Sequence, residues 1–488
     1  MDFLHSLFAV SAEDLLSTSV LVLLLVAAWG GDKASRAISI VAFAVLVGAA
    51  ALAVPALTAG AGGAATSAFG GHIKLDAFAA FAKLLIYVGS GVTLIVAPAY
   101  FDRFKAMRAE FPLLILLAAL GMGIMVSAND LLTLYIGLEL NSLAAYVLAA
   151  ILRADGRSAE AGLKYFVLGS LASGILLYGI SLTYGFTGTT SFDGIRVALG
   201  TGALSIGATF GLVFVLAGLA FKISAAPFHM WTPDVYEGAP APVTTFFATA
   251  PKVAALALLM RVSLDAFGGQ PGAWQQIVIF ASLLSIVIGA LGAIGQDNIK
   301  RLLAYSSINN VGFMLIGLAA GTAAGASAML VYLAIYVVSS VAAFVVVLAL
   351  RDEAGNAIES IAQLGGLSRT RPWLAAALAV VMFSLAGIPP LFGFWGKFLV
   401  FQAAVQAHLV VLAALGIAAS VIGAFYYLKV VKVLYFDDAT DAVQGREELA
   451  NRALLLGSSL FLSPLGYLLT PWLGNLAGSA AAALFHFA

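Results

Sequence analysis

Apolar runs long enough to cross a lipid bilayer recur along this chain from residue 15 to residue 473. A spanning helix needs ~20 predominantly apolar residues. In hydrocarbon every backbone N–H and C=O must find its partner within the protein, so runs of this length fold as helices. Hydropathy predicts fourteen spans: 15–30, 37–57, 76–98, 111–128, 130–152, 159–186, 203–226, 242–262, 274–295, 301–319, 324–350, 372–403, 409–436 and 453–473. The apolar tail GNLAGSAAAALFHFA is short and interrupted by glycine, and it is not counted as a further span. Composition agrees, since 62% of the 488 residues are hydrophobic and 10% are charged, against ~25% charged in a soluble domain. The expected fold is an all-α polytopic membrane protein.

Several function classes drop out. The formal net charge is zero, which leaves no electrostatic argument for nucleic-acid binding. The absence of cysteine excludes thiolate metal sites, cysteine-ligated iron–sulfur clusters and disulfides on this chain. The opening MDFLHSLFAVSAEDLL has no basic leader and places Glu13 and Asp14 ahead of the first apolar run, so it does not read as a cleaved signal peptide. The longest loops, 58–75, 187–202, 351–371 and 437–452, are too short for a folded soluble domain. Within the first, AGAGGAATSAFGG (59–71) reads as a flexible linker rather than a nucleotide-binding loop.

Charge orients the spans. Fifteen of the 24 Lys and Arg residues fall in one set of loops, among them Lys33, Arg103, Arg157, Lys300, Arg301 and Arg446. The alternate loops carry Lys74, Arg196 and Arg261. By the positive-inside rule the first set is cytoplasmic and both termini lie outside.

Charges inside the spans need compensation, because a lysine at mid-bilayer costs roughly 2.5–3.5 kcal/mol on the insertion scale. Glu139, in LLTLYIGLELNSLAAYVLAAIL, is the one acid placed deep in a span. It reads either as half of a structural ion pair or as a functional group. Lys429 and Lys432, at the end of GAFYYLKVVKVLYF, read as snorkelling to the interface. Lys83 and Lys164 lie further inside, where snorkelling and a role in the bundle both remain open. Lys222, Lys252 and Lys397 read as functional, since intramembrane ionisable groups are so by default. Lysine suits titration: unlike arginine, it gives up its proton readily when desolvated and regains it beside a carboxylate.

Two of these lysines lie beside breaks. The seventh span is interrupted by Pro227, five residues after Lys222, and the twelfth by Pro389 and Pro390, ahead of Lys397. Proline removes a backbone donor and frees a carbonyl, which is tolerated at this depth only against protein or a watery cavity. Spans 4–8 and 9–13 form two sets of five. Five is odd, so the second set must be inverted, and the broken spans then hold equivalent places, as at transporter ion sites. The chain accordingly divides into an N-terminal three-helix segment (1–110), a first five-helix repeat (111–262), a second, inverted repeat (263–436) and a C-terminal loop and helix (437–488).

GLAFKISAAPFHMWTPDVYEGAPAPVT, IKRLLAYSSINNVGFMLIGL, YIGLELNSLAAYVLAA and SLAGIPPLFGFWGKF resemble motifs of the antiporter-like membrane subunits of respiratory complex I, over essentially the whole chain. Lys397, where one paralogue usually has glutamate, and the length of 488 residues narrow the resemblance to one branch. The resemblance implies that Glu139 pairs with Lys222, that Lys164 stands near that pair, that Lys252 links two half-channels and that Lys397 lies at the exit. Together these would form a hydrated axis for proton translocation. It further implies a multi-pass protein of the bacterial inner membrane with periplasmic termini. Its partners would be paralogous membrane subunits and the lipid bilayer; FMN, iron–sulfur clusters and quinone would belong to partner subunits. Asn310 departs from the family, which often has histidine there, and an amide cannot cycle a proton. His229 reads as a structural hydrogen-bonding residue. The rival readings are a subunit of a multisubunit Na⁺/H⁺ antiporter or membrane-bound hydrogenase, and a purely structural scaffold.

Overall fold

The computed structural model describes residues 7, 9–58, 66–200, 204–440, 442–445 and 448–485. Helices α1 (Ser11–Gly30) and α2 (Ser35–Thr58) are followed by a small antiparallel hairpin, β1 (Thr66–Ala68) with β2 (Ile73–Leu75), and by α3 (Ala77–Arg103). Residues 66–71, expected to be a flexible linker, are thus part of a paired hairpin and its turn, while 59–65 lie outside the described residues. Next come α4 (Glu110–Ser127), α5 (Leu131–Ala149), α6 (Gly156–Thr187), α7 (Phe192–Leu199), α8 (Ile206–Ile223), α9 (Trp231–Gly238), α10 (Ala241–Ala248) and α11 (Ala250–Arg261). A second series holds α12 (Pro271–Ile294), α13 (Ile299–Ala319), α14 (Ala323–Ala349), α15 (Leu367–Thr370), α16 (Pro372–Ala386), α17 (Phe392–Gln406) and α18 (Val410–Phe436). The chain closes with α19 (Leu449–Leu462) and α20 (Thr470–Ala482).

Polar caps set the helix starts. Asp76 accepts from the Ala79 N–H at 2.8 Å, Asp130 from Leu132 and Thr133, and Asn298 from Lys300 and Arg301. Each satisfies backbone donors that a first helical turn leaves open. Small residues bring helices together: a Cβ at Gly121 would stand 2.6 Å from the Gly137 carbonyl, and one at Gly179 would stand 2.6 Å from the Val215 nitrogen. Without a hydrophobic drive between helices in lipid, such close backbone approach supplies the packing.

Among the described residues, eleven helices are long and apolar enough to cross a membrane, or twelve if α19 and α20 form one bent span. The expected fourteen are therefore not matched one by one. Residues 11–58 form one apolar stretch turned at Gly31, and the twelfth expected span is split into α16 and α17, of 15 residues each. The expected last span at 453–473 is also split. It bends by 69° at Ser463 and Pro464, and the tail continues as helix to Ala482. The apolar window of α14 is 94% buried and that of residues 11–58 is 33% buried, which puts α14 at the centre and the N-terminal hairpin of helices at the rim.

The two charge sets close separate ends. Lys74 on β2, Arg196 on α7 and Arg261 at the end of α11 converge on the buried Asp265 at 3.3, 3.2 and 3.5 Å. Arg261 also grips Asp76 with two hydrogen bonds of 2.9 and 3.0 Å. At the other end Arg157, Lys300 and Arg301 meet Glu359, Glu237 and Asp234. Lys429 and Lys432 reach Asp297 and Asp437. Arg446 lies outside the described residues.

Glu359 gives this end a pH signature. Burial opposes its ionisation, but Lys300 and Arg157 hold the carboxyl below the usual glutamate range. A lowered folded value makes its stabilisation fully present above the unfolded value of about 4.3, and lost as pH falls through the folded value. Glu359→Gln is expected to lower the melting temperature at neutral pH, and the gap to the parent is expected to close in acid below about pH 4. Melting curves across that range check the sign; a gap that persists in acid contradicts it.

Candidate functional site

Helices α8 and α16 end in the same way. After Ile223, Ser224 takes a left-handed conformation (φ 63°), and the Ala225 N–H donates to the Ala220 carbonyl at 2.9 Å. After Ala386, Gly387 does so (φ 80°), and the Ile388 N–H donates to the Phe383 carbonyl at 3.1 Å. This is the left-handed helix end that glycine favours. Serine adopts it at a cost of about 1–2 kcal/mol. Gly387 is required twice over, since a Cβ there would also stand 2.7 Å from Lys397 Cδ. The prolines that follow prevent an immediate return to helix, and the chain re-enters one at Trp231 and Phe392.

Each end receives a lysine. Lys252 Nζ, on α11, donates to the Ile223 carbonyl at 3.0 Å. Lys397 Nζ, on α17, donates to the Ala386 carbonyl at 2.9 Å and to Ser420 Oγ at 3.3 Å, and stands 4.5 Å above the Phe313 ring. The two residues are 2% and 5% exposed. A helix C-terminus carries partial negative charge and open carbonyls, so these lysines have a partner that is not a carboxylate. A carbonyl accepts from an ammonium and from a neutral amine alike, and among the described residues neither lysine forms an ion pair that would lock the proton in place.

Lys222 stands in the last turn of α8. Its Nζ donates to Ser142 Oγ at 2.8 Å and to Tyr146 Oη at 3.3 Å. The direct Glu139–Lys222 ion pair that the resemblance implies is not formed among the described residues. Glu139 lies within electrostatic reach of Lys222, one turn before Ser142, but its Oε1 is buried without a hydrogen-bond partner. Two hydroxyl groups on α5 hold the ammonium instead. Ser142 and Tyr146 follow Glu139 at positions three and seven, one helical face, a spacing that could have been read from the sequence.

Lys164 is placed elsewhere. Its Nζ pairs with Glu160 and Asp234 at 2.8 Å each, in a half-exposed cleft of about 200 Å³ at the end that carries Arg157 and Arg301. Asp234 also binds Arg301 at 2.7 Å. Lys164 therefore touches α9, the second half of the broken span. His229 lies at the same break, where its side chain hydrogen-bonds the Pro227 backbone while Nδ1 is buried without a partner among the described residues.

A buried hydroxyl and amide cluster leads to Lys397. Tyr332 Oη donates to Asn310 Oδ1 at 2.8 Å, and Asn310 Nδ2 donates to the Ser306 carbonyl at 2.7 Å and to Tyr427 Oη at 3.2 Å. The ring of Tyr332 packs on Gly396, where a Cβ would come within 2.8 Å of it. Asn310 is thus a fixed amide joining α13, α14 and α18. Its tyrosine partners come from separate helices, and no spacing along the sequence announces them.

Known proteins match this chain over nearly its full length. Residues 128–423 match the family described as NADH:quinone oxidoreductase/Mrp antiporter, TM. The NADH-quinone oxidoreductase subunit N of Erythrobacter litoralis is 67% identical over 485 residues, covering 99% of each chain. A chain of respiratory complex I from Thermus thermophilus superposes with a TM-score of 0.79 at 33% identity, over 94% of this chain and 97% of that one. A chain of the Mrp complex from a Dietzia species shares the fold, with a TM-score of 0.85 at 24% identity over 99% and 98%. The matched region contains both broken spans and every buried lysine of the site, and with the near-identity in length it places this chain in the NADH:quinone oxidoreductase/Mrp antiporter family, within the branch of NADH-quinone oxidoreductase subunit N.

Proposed function

We propose that the chain is a proton-translocating membrane subunit of an NADH-quinone oxidoreductase, and that Glu139, Lys164, Lys222, Lys252 and Lys397 carry the protons. The observation that carries this reading is the pair of lysines on the open carbonyl ends of two interrupted helices. The chain takes part in the redox enzyme as its membrane partner. Flavin, iron–sulfur clusters and quinone are assigned to other subunits, and paralogous antiporter-like subunits to its flanks. It lies in the bacterial inner membrane with both termini periplasmic. Residues 111–262 and 263–436 act as inverted repeats, a division supported by the shared left-handed helix ends at Ser224 and Gly387.

In this reading, quinone reduction in a partner moves a charge toward or away from Glu139. When the carboxylate is effective at Lys222, the ammonium is held. When its influence weakens, the proton passes from Lys222 through hydroxyl groups and water toward Lys252, then by way of the Asn310 cluster toward Lys397. Lys164, on the charged inner end, reloads the chain. Moving one charge across 100 mV requires about 2.3 kcal/mol, which a swing of ~2 pKa units at 1.36 kcal/mol each can supply.

Affinity purification from native membranes tests the assignment. The expected eluate contains flavin, iron–sulfur clusters and NADH:quinone activity. An eluate free of them, carrying Na⁺/H⁺ antiport instead, overturns it in favour of the antiporter subunit whose fold is shared.

A further inference from the structure

A second buried titratable pair lies outside the relay just described. Glu13, in the first turn of α1, stands 2.6 Å from Lys83 on α3, and both side chains are buried. The sequence placed Glu13 ahead of the first span and left Lys83 between snorkelling and function. In the structure Lys83 does not snorkel.

The pair continues as a polar stripe. Lys83, Tyr87 and Ser90 recur at helical spacing on α3, and all are buried. Lys83 and Ser90 are ~10 Å apart along the helix. Among the described residues, the hydroxyls of Tyr87 and Ser90 are buried without a hydrogen-bond partner. Buried polar atoms are normally satisfied, by water where protein supplies nothing. Gly123 on α4 packs directly on this stripe and brings its polar groups together: a Cβ there would stand 2.9 Å from Glu13 Oε1 and 3.6 Å from Tyr87 Oη.

The stripe has two fixed ends. Next to Ser90, Gly89 packs so closely on the junction between α10 and α11 that a Cβ would stand 2.7 Å from Thr249 Oγ1 and 3.0 Å from the Ala250 nitrogen. Lys252 follows Thr249 by three residues. At the opposite end of the same helix pair, Asp76 ahead of α3 holds Arg261 at the end of α11. Helices α3 and α11 therefore run antiparallel from the break beside Lys252 to the end that carries Lys74, Arg196 and Arg261. The Glu13–Lys83 pair lies between those two points.

We propose that Ser90, Tyr87, Lys83 and Glu13 form a proton branch leading from the Lys252 break toward that end of the molecule. The proposal rests on the relay reading above. The resting branch is the ion pair. A proton arriving over the two hydroxyls and water gives a neutral Glu13 carboxyl beside the Lys83 ammonium. Its release toward the outer end restores the pair, with one proton taken up, one released and no electron moved. An anchor for α1 would need the ion pair but not the aligned hydroxyls.

The test uses the full complex in proteoliposomes, with protons pumped per NADH oxidised as the readout. Removing both charges as Glu13→Leu with Lys83→Met strands neither partner. The expected result is an assembled complex with a lower ratio; the parental ratio overturns the branch. Should that variant fail to assemble, Tyr87→Phe decides in the same way, since it keeps the ring and removes the hydroxyl. Lys222→Ala is measured in parallel. A drop there with a parental ratio in the branch variants overturns the branch alone, and parental ratios throughout overturn both readings.

Discussion

Replacing Arg261 with methionine is expected to destabilise the subunit by about 3–5 kcal/mol, the loss that follows when one partner of a buried ion pair is removed. Arg261 is fully buried, holds Asp76 with two hydrogen bonds, donates from Nε to the Val126 carbonyl at 3.2 Å and packs on the Phe78 ring. Asp265 keeps Lys74 and Arg196 after the change. Asp76 is left as the uncompensated charge at the head of α3. The loss is read as lower subunit content in membranes and earlier unfolding in detergent. Adding Asp76→Asn removes the stranded charge and is expected to recover much of the stability. An Arg261→Met variant as stable as the parent contradicts this account of the end that carries Lys74 and Arg196.

The second large effect is functional. Lys252→Met is expected to slow proton transfer through the subunit by about 100-fold, at the lower end of what a positioned acid–base group contributes. Methionine preserves length and apolar packing, and the structural cost is confined to the Ile223 carbonyl, about 1–3 kcal/mol. Lys252→Gln separates chemistry from scaffolding, since an amide can still donate to that carbonyl but cannot carry the proton onward. The relay requires that glutamine fail to restore transport. Full transport in Lys252→Gln favours a scaffold whose buried lysine does no more than cap a helix.

Hydropathy and prolines made much of this molecule legible. The apolar runs, the interruptions at Pro227 and at Pro389 and Pro390, and the separation of loop charges all depend on local composition, and each has a counterpart in the structure. The partners of the buried charges were less legible. Glu13 looked like a flanking acid because the start of α1 has no strong polar cap to mark it. The Lys164–Asp234 pair has no sequence signal, because nothing local ties α9 to Lys164 across the break. The carbonyl partners of Lys252 and Lys397 were out of reach, since backbone atoms freed by a helix break have no residue type. The split of the last span at Ser463 and Pro464 was readable from its proline, and the apolar character of both flanks concealed it.

The relay is tested most directly by the number of protons pumped per NADH oxidised when Lys222 is replaced by alanine in an assembled complex. Lys222 is the ammonium between the α5 hydroxyls and the first break. The account expects the complex to assemble and the ratio to fall. An unchanged ratio at full NADH turnover would contradict it.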